Sequence, residues 1–331
     1  MNLPLTWRRV ALLGTVTVLA LTGCSRPSAT EPAAATGPAG ATVPVQLAVG
    51  IDASYAPFYL ADQTGMFEDA GLDVTLVQFG RGGEAVDALA SGTVQLAGSS
   101  DTTTVTQLQA NPTLRGLFSY ESSGDYLKVV LRSGIADAAA VRNVGIVPGL
   151  SQISAAKYLQ DADIDPAAVK MISATPTDMP ALMARGDIDA FVLWEPWPAQ
   201  AVGQGAGTVV ASTGDYDWTY KQWLITTGAW LGQNEETAAQ IGAVLAEATE
   251  RVEADPGAAA DATVKAVNLP AAQTLTAVDE IEFAVTDLTE EDLTSARSVS
   301  DYFVSTGTLK AAPDLESALL LGWWTEHRAD S

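Results

Sequence analysis

The sequence predicts an α/β fold with two lobes, each built on a mainly parallel sheet flanked by helices. Beyond about residue 43, short apolar segments typical of strands alternate with amphipathic segments typical of helices, as in βαβ units. The alternation occurs in two successive series. The roughly 285 residues involved are long for one compact domain and comfortable for two.

The first series predicts lobe 1. Gly65 and Gly92 follow two of its expected helices, where a left-handed backbone is common. The expected strands cover residues 45–50, 72–79, 94–98 and 114–119, and the expected helices cover residues 58–65, 84–91 and 102–109.

The second series predicts lobe 2, with Gly186 at the end of one helix. Its expected strands cover residues 143–147, 169–172, 188–193 and 207–211, and its expected helices cover residues 151–159, 177–185 and 196–202.

Two further segments show the alternation that is typical of strands, and they lie on either side of the second series. We therefore interpret them as the crossings between the lobes, which act as a hinge. They cover residues 126–132 and 222–227, and patterned helices follow at residues 235–253, 257–267, 289–304 and 315–324. These helices should return to lobe 1. Lobe 1 is therefore expected over residues 44–132 and 222–331, and lobe 2 over residues 133–221.

The N-terminus has the pattern of a secretory signal sequence over residues 1–23. Arg8 and Arg9 precede an uncharged apolar run over residues 10–21, which is shorter than the ~20 residues that a spanning helix requires. Residues 24–43 are rich in Ala, Pro, Gly, Ser and Thr, and they predict a flexible tether.

The end of this signal resembles the bacterial lipobox, through Leu21, Thr22, Gly23 and Cys24. The resemblance implies cleavage before Cys24, acylation of its thiol and amino group, and a lipid anchor on the outer face of the cell membrane. The alternative is an ordinary cleaved signal with a chance cysteine. The chain has no second cysteine with which this one could pair.

Composition excludes several classes of function. The chain has 40 acidic and 17 basic residues and a formal net charge of −23. A surface of this charge repels nucleic acid and anionic lipid headgroups. A single histidine, His327, argues against a transition-metal site. We expect no cofactor and no metal.

A resemblance to a known family rests on motifs in both lobes, which are specific together although not singly. They are Tyr55-Ala56-Pro57-Phe58-Tyr59-Leu60-Ala61, Gly65-Met66-Phe67-Glu68-Asp69-Ala70-Gly71-Leu72, Phe79-Gly80-Arg81-Gly82-Gly83-Glu84-Ala85, Ala97-Gly98-Ser99-Ser100 and Trp194-Glu195-Pro196-Trp197. Over about residues 45–215 the chain resembles the nitrate, sulfonate and taurine binding-protein family, which also includes a binding domain related to thiamine-pyrimidine biosynthesis proteins.

This resemblance implies a type II periplasmic-binding-protein fold, in which a monomer captures a small solute between its lobes. The expected partners are the permease and the ATPase of an ABC importer. The expected solute is an aliphatic sulfonate such as taurine or a thiamine-precursor pyrimidine. A nitrate ion suits the acidic and aromatic residues of the expected cleft less well.

Ligands of open α/β sheets lie outside the carboxyl ends of strands, near the N-termini of helices. The candidate contacts at four such junctions are Tyr55, Ser99, Ser100, Asp101, Ser151, Gln152, Trp194 and Glu195. The serines either bind the solute or simply cap their helices. Tyr55 either contacts the solute or packs at the edge of a lobe. Trp194 could stack on the solute, and Glu195 could accept hydrogen bonds from an amine or amide.

Three further candidates depend on context. Tyr120 and Glu121 match a polar cleft segment of the family, and they either meet an ammonium group or belong to a solvated loop. Arg81 stands where the family has a small residue, and it either clamps an anion or lies on the surface. Asp101 stands where the family often has a proline, and a carboxylate there disfavours a bare inorganic anion.

Two other functions compete with solute capture. Enzymes occur on related scaffolds, although the cysteine-rich patch and active-site histidine of yeast-type pyrimidine synthases have no counterpart here. Acidic side chains could still act as acids or bases. A cell-surface sensor would use the same scaffold and the same cleft.

Overall fold

A computed structural model describes residues 44–328. The expected signal sequence, Cys24 and the tether lie outside the described residues, as do residues 329–331. None of the helices within residues 44–328 combines the length and the apolarity that crossing a bilayer requires.

Residues 44–328 form strands and helices close to most of the expected positions. The strands are β1 (Pro44–Gly50), β2 (Asp73–Phe79), β3 (Leu96–Ser100), β4 (Leu114–Ser123), β5 (Lys128–Arg132), β6 (Asn143–Ile146), β7 (Lys170–Ser173), β8 (Ala190–Leu193), β9 (Gly207–Ser212), β10 (Tyr220–Thr227) and β11 (Glu282–Asp287). The α-helices are α1 (Ala56–Gln63), α2 (Met66–Asp69), α3 (Gly82–Ala90), α4 (Asp101–Leu108), α5 (Leu150–Asp161), α6 (Met179–Arg185), α7 (Trp197–Gly203), α8 (Gly228–Ala254), α9 (Pro256–Val267), α10 (Ala271–Asp279), α11 (Glu290–Ser305), α12 (Leu315–Ala318) and α13 (Trp323–His327).

The strands form two mixed sheets, which confirms the α/β class. The first sheet has the order β11-β4-β10-β3-β1-β2, in which β10 and β11 run against the other four strands. The second has the order β7-β6-β8-β5-β9, in which only β5 runs against its neighbours. Every residue of β3 and β8 is buried, as expected for interior strands of sheets covered by helices.

The sequence pattern predicted that two strands cross between the lobes. In the structure, the connections between the sheets lie just before these two strands. β5 pairs with β8 and β9 and so belongs wholly to the second sheet, which places the first lobe boundary earlier than residue 132. β10 belongs wholly to the first sheet, so residues 124–127 and 213–219 make the passages.

The two passages meet at a pair of glycines. The Gly214 amide donates a hydrogen bond to the Gly124 carbonyl oxygen over 2.6 Å. A Cβ atom at Gly124 would lie 3.1 Å from the Gly214 Cα atom, so the close approach depends on the absence of a side chain.

The C-terminal region that follows β10 packs mainly against the first sheet and its helices. It also contains α10 and β11, which the sequence pattern did not predict. β11 is a half-exposed edge strand with acidic residues at both ends, so its apolar alternation is weak. The helix expected over residues 315–324 is broken, because Gly322 has a positive φ of 74° and Leu319 forms a bridge with Gly116.

Candidate functional site

A cavity of about 290 Å³ lies between the two sheets. The first sheet supplies lining residues that follow the carboxyl ends of β1, β2 and β3. The second supplies residues that follow β6 and β8. The cavity therefore occupies the place that open α/β sheets use for ligands.

The structure brings together at this cavity five of the side chains that the sequence predicted. Tyr55, Arg81 and Ser100 line it from the first sheet's side, and Ser151 and Trp194 line it from the second. Ser100 Oγ also caps α4, and Ser151 Oγ accepts a hydrogen bond from a backbone amide 3.1 Å away. The serines thus have structural partners in addition to their position at the cavity.

Three of the residues that were expected to contact the solute are buried and do not line the cavity. Ser99 Oγ accepts a hydrogen bond from Thr104 Oγ1 over 3.1 Å. The Asp101 carboxylate accepts hydrogen bonds from the amide and the hydroxyl of Thr102. Tyr120 is fully buried. None of these three residues lines the cavity.

Gln152 and Glu195 also lie outside the cavity. Gln152 is half-buried beside the Tyr302 hydroxyl. Glu195 Oε1 lies 3.3 Å from Lys128 Nζ, and Glu195 Oε2 accepts a hydrogen bond from the Ala199 amide over 3.1 Å. The expected contact between Glu195 and a solute therefore has no support in this geometry, because the carboxylate engages a cation and the first turn of α7.

The structure adds lining residues that the sequence pattern did not identify. Asp52 and Ser54 follow β1, and Tyr126 lies in the first passage between the sheets. Tyr220 and Gln222 open β10. Asp52 stands at a strand end, so the rule that placed Tyr55 could have found it. Tyr220 and Gln222 become predictable only when the antiparallel position of β10 is known.

Tyr55 is held flat against the first sheet. Its hydroxyl donates a hydrogen bond to the Gly98 carbonyl oxygen over 3.2 Å. A Cβ atom at Gly98 would lie 2.7 Å from Tyr55 Cε1, and a Cβ atom at Gly50 would overlap Tyr55 Cε2. The two glycines therefore make room for the ring, and they fix its position in the cavity wall.

Asp52 lines the cavity and Glu121 is buried outside its lining, and both carboxyl groups are without a basic partner. Asp52 Oδ1 accepts hydrogen bonds from the Ser54 amide (3.0 Å) and the Tyr126 hydroxyl (3.3 Å). Glu121 is 1% exposed beside this group, and the hydroxyls of Ser54 and Tyr220 are close to its carboxyl group. None of the ion pairs within residues 44–328 includes either acid.

Burial shifts the titration of both acids upward. Desolvation raises the pKa of Asp52 to about 6, against the opposing effect of its hydrogen bonds from Ser54 and Tyr126. Desolvation also raises the pKa of Glu121 well above its ordinary value, and the nearby charge of Asp52 adds to the shift. The hydroxyls of Ser54 and Tyr220 lower it only in part.

Two helix N-termini also line the cavity. Residues in the first turns of α3 and α5 line the cavity, and neither helix has a side-chain hydrogen bond at its N-cap residue, Arg81 or Gly149. At α4, by contrast, Ser100 Oγ accepts a hydrogen bond from the Thr103 amide over 3.1 Å. The first amides of α3 and α5 are therefore suited to a negative or hydrogen-bond-accepting group.

Arg81 stands at the mouth of the cavity, but its charge is already paired. Arg81 Nη2 lies 2.7 Å from Glu84 Oε1, and both side chains are about half exposed. A solute anion that contacts Arg81 would share the guanidinium with Glu84. The bidentate clamp suggested by the sequence is thus weaker than a free arginine would provide.

The groups around the cavity can bind a solute through hydrogen bonds, charge and aromatic contacts. The lining holds carboxyls, hydroxyls, the amide side chains of Gln107 and Gln222, the guanidinium of Arg81 and aromatic rings. His327 stacks on Trp323 and lies 3.0 Å from Glu235, outside the cavity.

Comparisons with known proteins agree with this architecture. The model of the NMT1-like family matches residues 39–268. The aliphatic sulphonate binding protein SsuA from Escherichia coli is 17% identical, with 86% of this chain and 100% of that chain covered and a TM-score of 0.74. The alkanesulfonate-binding protein SsuA from Xanthomonas axonopodis pv. citri bound to MOPS is also 17% identical, with 84% and 99% covered and a TM-score of 0.73.

The nitrate-binding protein NrtA from Synechocystis PCC 6803 is similar to the same degree. It is 17% identical, with 87% of this chain and 88% of that chain covered and a TM-score of 0.74. No curated protein sequence matches the chain. At these identities the solved structures show the shared periplasmic-binding-protein fold.

Proposed function

Because the chain belongs to the NMT1-like family, we propose that it captures a small organic solute between its two sheets and delivers it to an ABC importer. The observation that carries this proposal is the cavity of about 290 Å³ at the carboxyl ends of strands from both sheets. A solute held by both sheets would favour the closed arrangement of the lobes, and a membrane partner would recognise that arrangement.

The two walls of the cavity favour a solute with two chemically different ends. The amides that begin α3 and α5 suit a sulfonate, a carboxylate or another accepting group. The acidic floor and the aromatic rings of Tyr55 and Trp194 suit an amine or a heteroaromatic ring. Aliphatic sulfonates of the taurine type and thiamine-precursor pyrimidines both meet these requirements. A nitrate ion would leave the acidic floor without a partner.

The proposed location follows from the sequence of the N-terminus. The signal pattern and the lipobox-like residues before Cys24 support export and acylation. A lipid-anchored binding protein would remain on the outer face of the membrane, close to the permease. Mass spectrometry of the mature N-terminus tests this part: a diacylated or triacylated Cys24 supports it, and an unmodified cysteine contradicts it.

Thermal denaturation tests solute capture. A ligand that binds only the folded protein raises the melting temperature, by an amount that grows with its concentration relative to the dissociation constant. The panel contains sulfonates, amino-sulfonates, aminopyrimidines and nitrate. Stabilisation by one organic class and not by nitrate supports the proposal. A folded protein that none of the solutes stabilises contradicts it.

A further inference from the structure

A second cavity, of about 470 Å³, accompanies the first, which lies between the two sheets and measures about 290 Å³. Its lining consists of residues at and after the carboxyl end of β7, residues of α6, and Arg81. Arg81 is the N-cap residue of α3, so it belongs to the side of the first sheet. The second cavity is therefore lined from both sheets, as the first is.

The two cavities are neighbours along one edge of the second sheet. β6 and β7 are adjacent parallel strands, so their carboxyl ends lie side by side. Val147 follows β6 and lines the first cavity, whereas Ala174 follows β7 and lines the second. The Ala174 amide donates a hydrogen bond to the carbonyl oxygen of Ile146, the last residue of β6, over 3.1 Å. Adjacent strands lie about 4.8 Å apart, so one small organic molecule is long enough to reach from the first cavity into the second.

Arg81 stands where the two cavities meet, because it belongs to both linings. Arg81 Nε and Nη2 both donate hydrogen bonds to Glu84 Oε1, over 3.0 Å and 2.7 Å. The guanidinium group is thereby oriented toward α3. The aliphatic part of the side chain is left to contact an apolar group that extends from one cavity to the other.

Three of the residues that line the second cavity are apolar and partly buried. Ile172, Ala174 and Leu182 pack against the hydrophobic cluster of the second sheet. Part of their apolar surface still faces the cavity. An apolar group in the cavity would remove this surface from water, which is favourable.

The charged side chains around this apolar surface already have partners. Asp178 Oδ2 accepts a hydrogen bond from Thr175 Oγ1 over 2.6 Å. Arg185 Nε lies 2.8 Å from Asp187 Oδ2. A polar group of a bound molecule would have to compete with these contacts, whereas an apolar group would not. The second cavity is therefore suited to an apolar group.

On the basis of the proposed function, we propose that the second cavity is a subsite for an apolar chain or ring of a captured sulfonate. The sulfonate group lies in the first cavity, near the amides that begin α3 and α5. The apolar part extends past Arg81 and covers Ile172, Ala174 and Leu182. The solute is the occupant of the second cavity because the two linings are continuous at Arg81. It is therefore longer than taurine.

A homologous series of 1-alkanesulfonates tests the subsite, because its members share one head group and differ only in chain length. Calorimetry with ethanesulfonate, butanesulfonate, hexanesulfonate and octanesulfonate gives the dissociation constants. Each methylene group that enters the second cavity should tighten binding about twofold to fourfold. Without the subsite, the affinity should stop rising once the chain fills the first cavity.

Two variants of one helix locate the effect. Ala181 and Ala184 are both exposed on α6, and only Ala181 lines the second cavity. Ala181→Phe places a ring in the cavity. It should weaken the binding of octanesulfonate by about tenfold or more and leave the binding of ethanesulfonate unchanged. Ala184→Phe adds the same ring outside the cavity, and it should leave the whole series unchanged.

The outcomes separate the subsite from the proposed function. Equal binding of ethanesulfonate and octanesulfonate by the wild-type protein overturns the subsite and leaves solute capture intact. An undiminished dependence on chain length in folded Ala181→Phe does the same. Failure of all four sulfonates to bind the folded wild-type protein overturns the subsite together with sulfonates as the solute class.

Discussion

Lys128 Nζ lies 2.6 Å from Glu280 Oε1. This contact joins β5 of the second sheet to the end of α10, which lies on the side of the first sheet. The same ammonium lies 3.3 Å from Glu195 Oε1. All three side chains are largely buried. The lobes are therefore connected by a charged contact as well as by the two passages of the chain.

The first prediction concerns this contact. Lys128→Met should lower the free energy of unfolding by about 3 kcal/mol, because it leaves the largely buried carboxylates of Glu195 and Glu280 without their cation. Urea denaturation measures the change. Glu247→Gln, which breaks an exposed pair within α8, should change stability by less than about 0.5 kcal/mol. Equal effects of the two substitutions would show that the inter-lobe contact is not stabilising.

The second prediction concerns the pH dependence of stability. The pKa of Asp52 is raised from 3.8 to about 6 in the folded protein, so the folded state binds more protons than the unfolded chain between these pH values. The stability that Asp52 contributes is fully present below about pH 3.8 and is lost as the pH rises through about 6. Asp52→Asn should therefore stabilise the unliganded protein at pH 7.5, by up to about 3 kcal/mol, and much less at pH 4.5.

Denaturation of both proteins at the two pH values measures this difference. Asp73→Asn, at an exposed position at the start of β2, is the matched control, and its effect should be small at both pH values. A stabilisation by Asp52→Asn that is equal at pH 4.5 and pH 7.5 would contradict the raised pKa.

The third prediction concerns the glycine beneath Tyr55. Gly98→Ala places a methyl group 2.7 Å from Tyr55 Cε1 and 2.8 Å from the Tyr120 hydroxyl. Both rings are buried, so the substitution should destabilise the protein by about 1–3 kcal/mol. Gly232→Ala in α8 meets no atom within 4 Å, and it should be neutral or stabilising by up to about 1 kcal/mol. If the two variants have the same stability in urea denaturation, Tyr55 is not fixed as described.

The fourth prediction separates two neighbours that the sequence pattern grouped together. Trp194→Ala should weaken solute binding by about tenfold with little change in melting temperature, because Trp194 lines the cavity and is only half-buried. Glu195→Gln should lower the melting temperature with little change in affinity, because Glu195 contacts Lys128 and the Ala199 amide. Calorimetry and thermal denaturation of both variants provide the test. Loss of affinity in Glu195→Gln together with loss of stability in Trp194→Ala would contradict the roles given to the two residues.

The sequence predicted those parts of the fold that depend on local periodicity. The strands and helices that precede residue 212 have strong apolar patterns. In a parallel sheet, each junction from a strand to the following helix lies at the carboxyl ends of the strands, so polar residues at such junctions lie near one another. This rule, together with the family resemblance, identified Tyr55, Ser100, Ser151 and Trp194, which line the cavity.

The remaining features depend on strand order, which no local pattern contains. Tyr220 reaches the cavity because β10 runs against its neighbours, so the beginning of β10 lies beside their carboxyl ends. Glu195 follows the predicted strand end, but Lys128 on the adjacent β5 turns its carboxylate away from the cavity. β11 has too few apolar residues to be recognised before its partner β4 is known.

The contact between Gly124 and Gly214 has a consequence for how the protein can diversify. Where the two passages meet, the Gly214 amide and the Thr213 hydroxyl both donate to the Gly124 carbonyl oxygen, whereas other residues line the cavity. Substitutions of lining residues outside the passages, such as Ser54 and Gln222, therefore leave this contact intact. Under the proposed function, the choice of solute and the movement of the lobes would therefore be separable properties, so that the cavity could change its solute while the contact between the passages is retained.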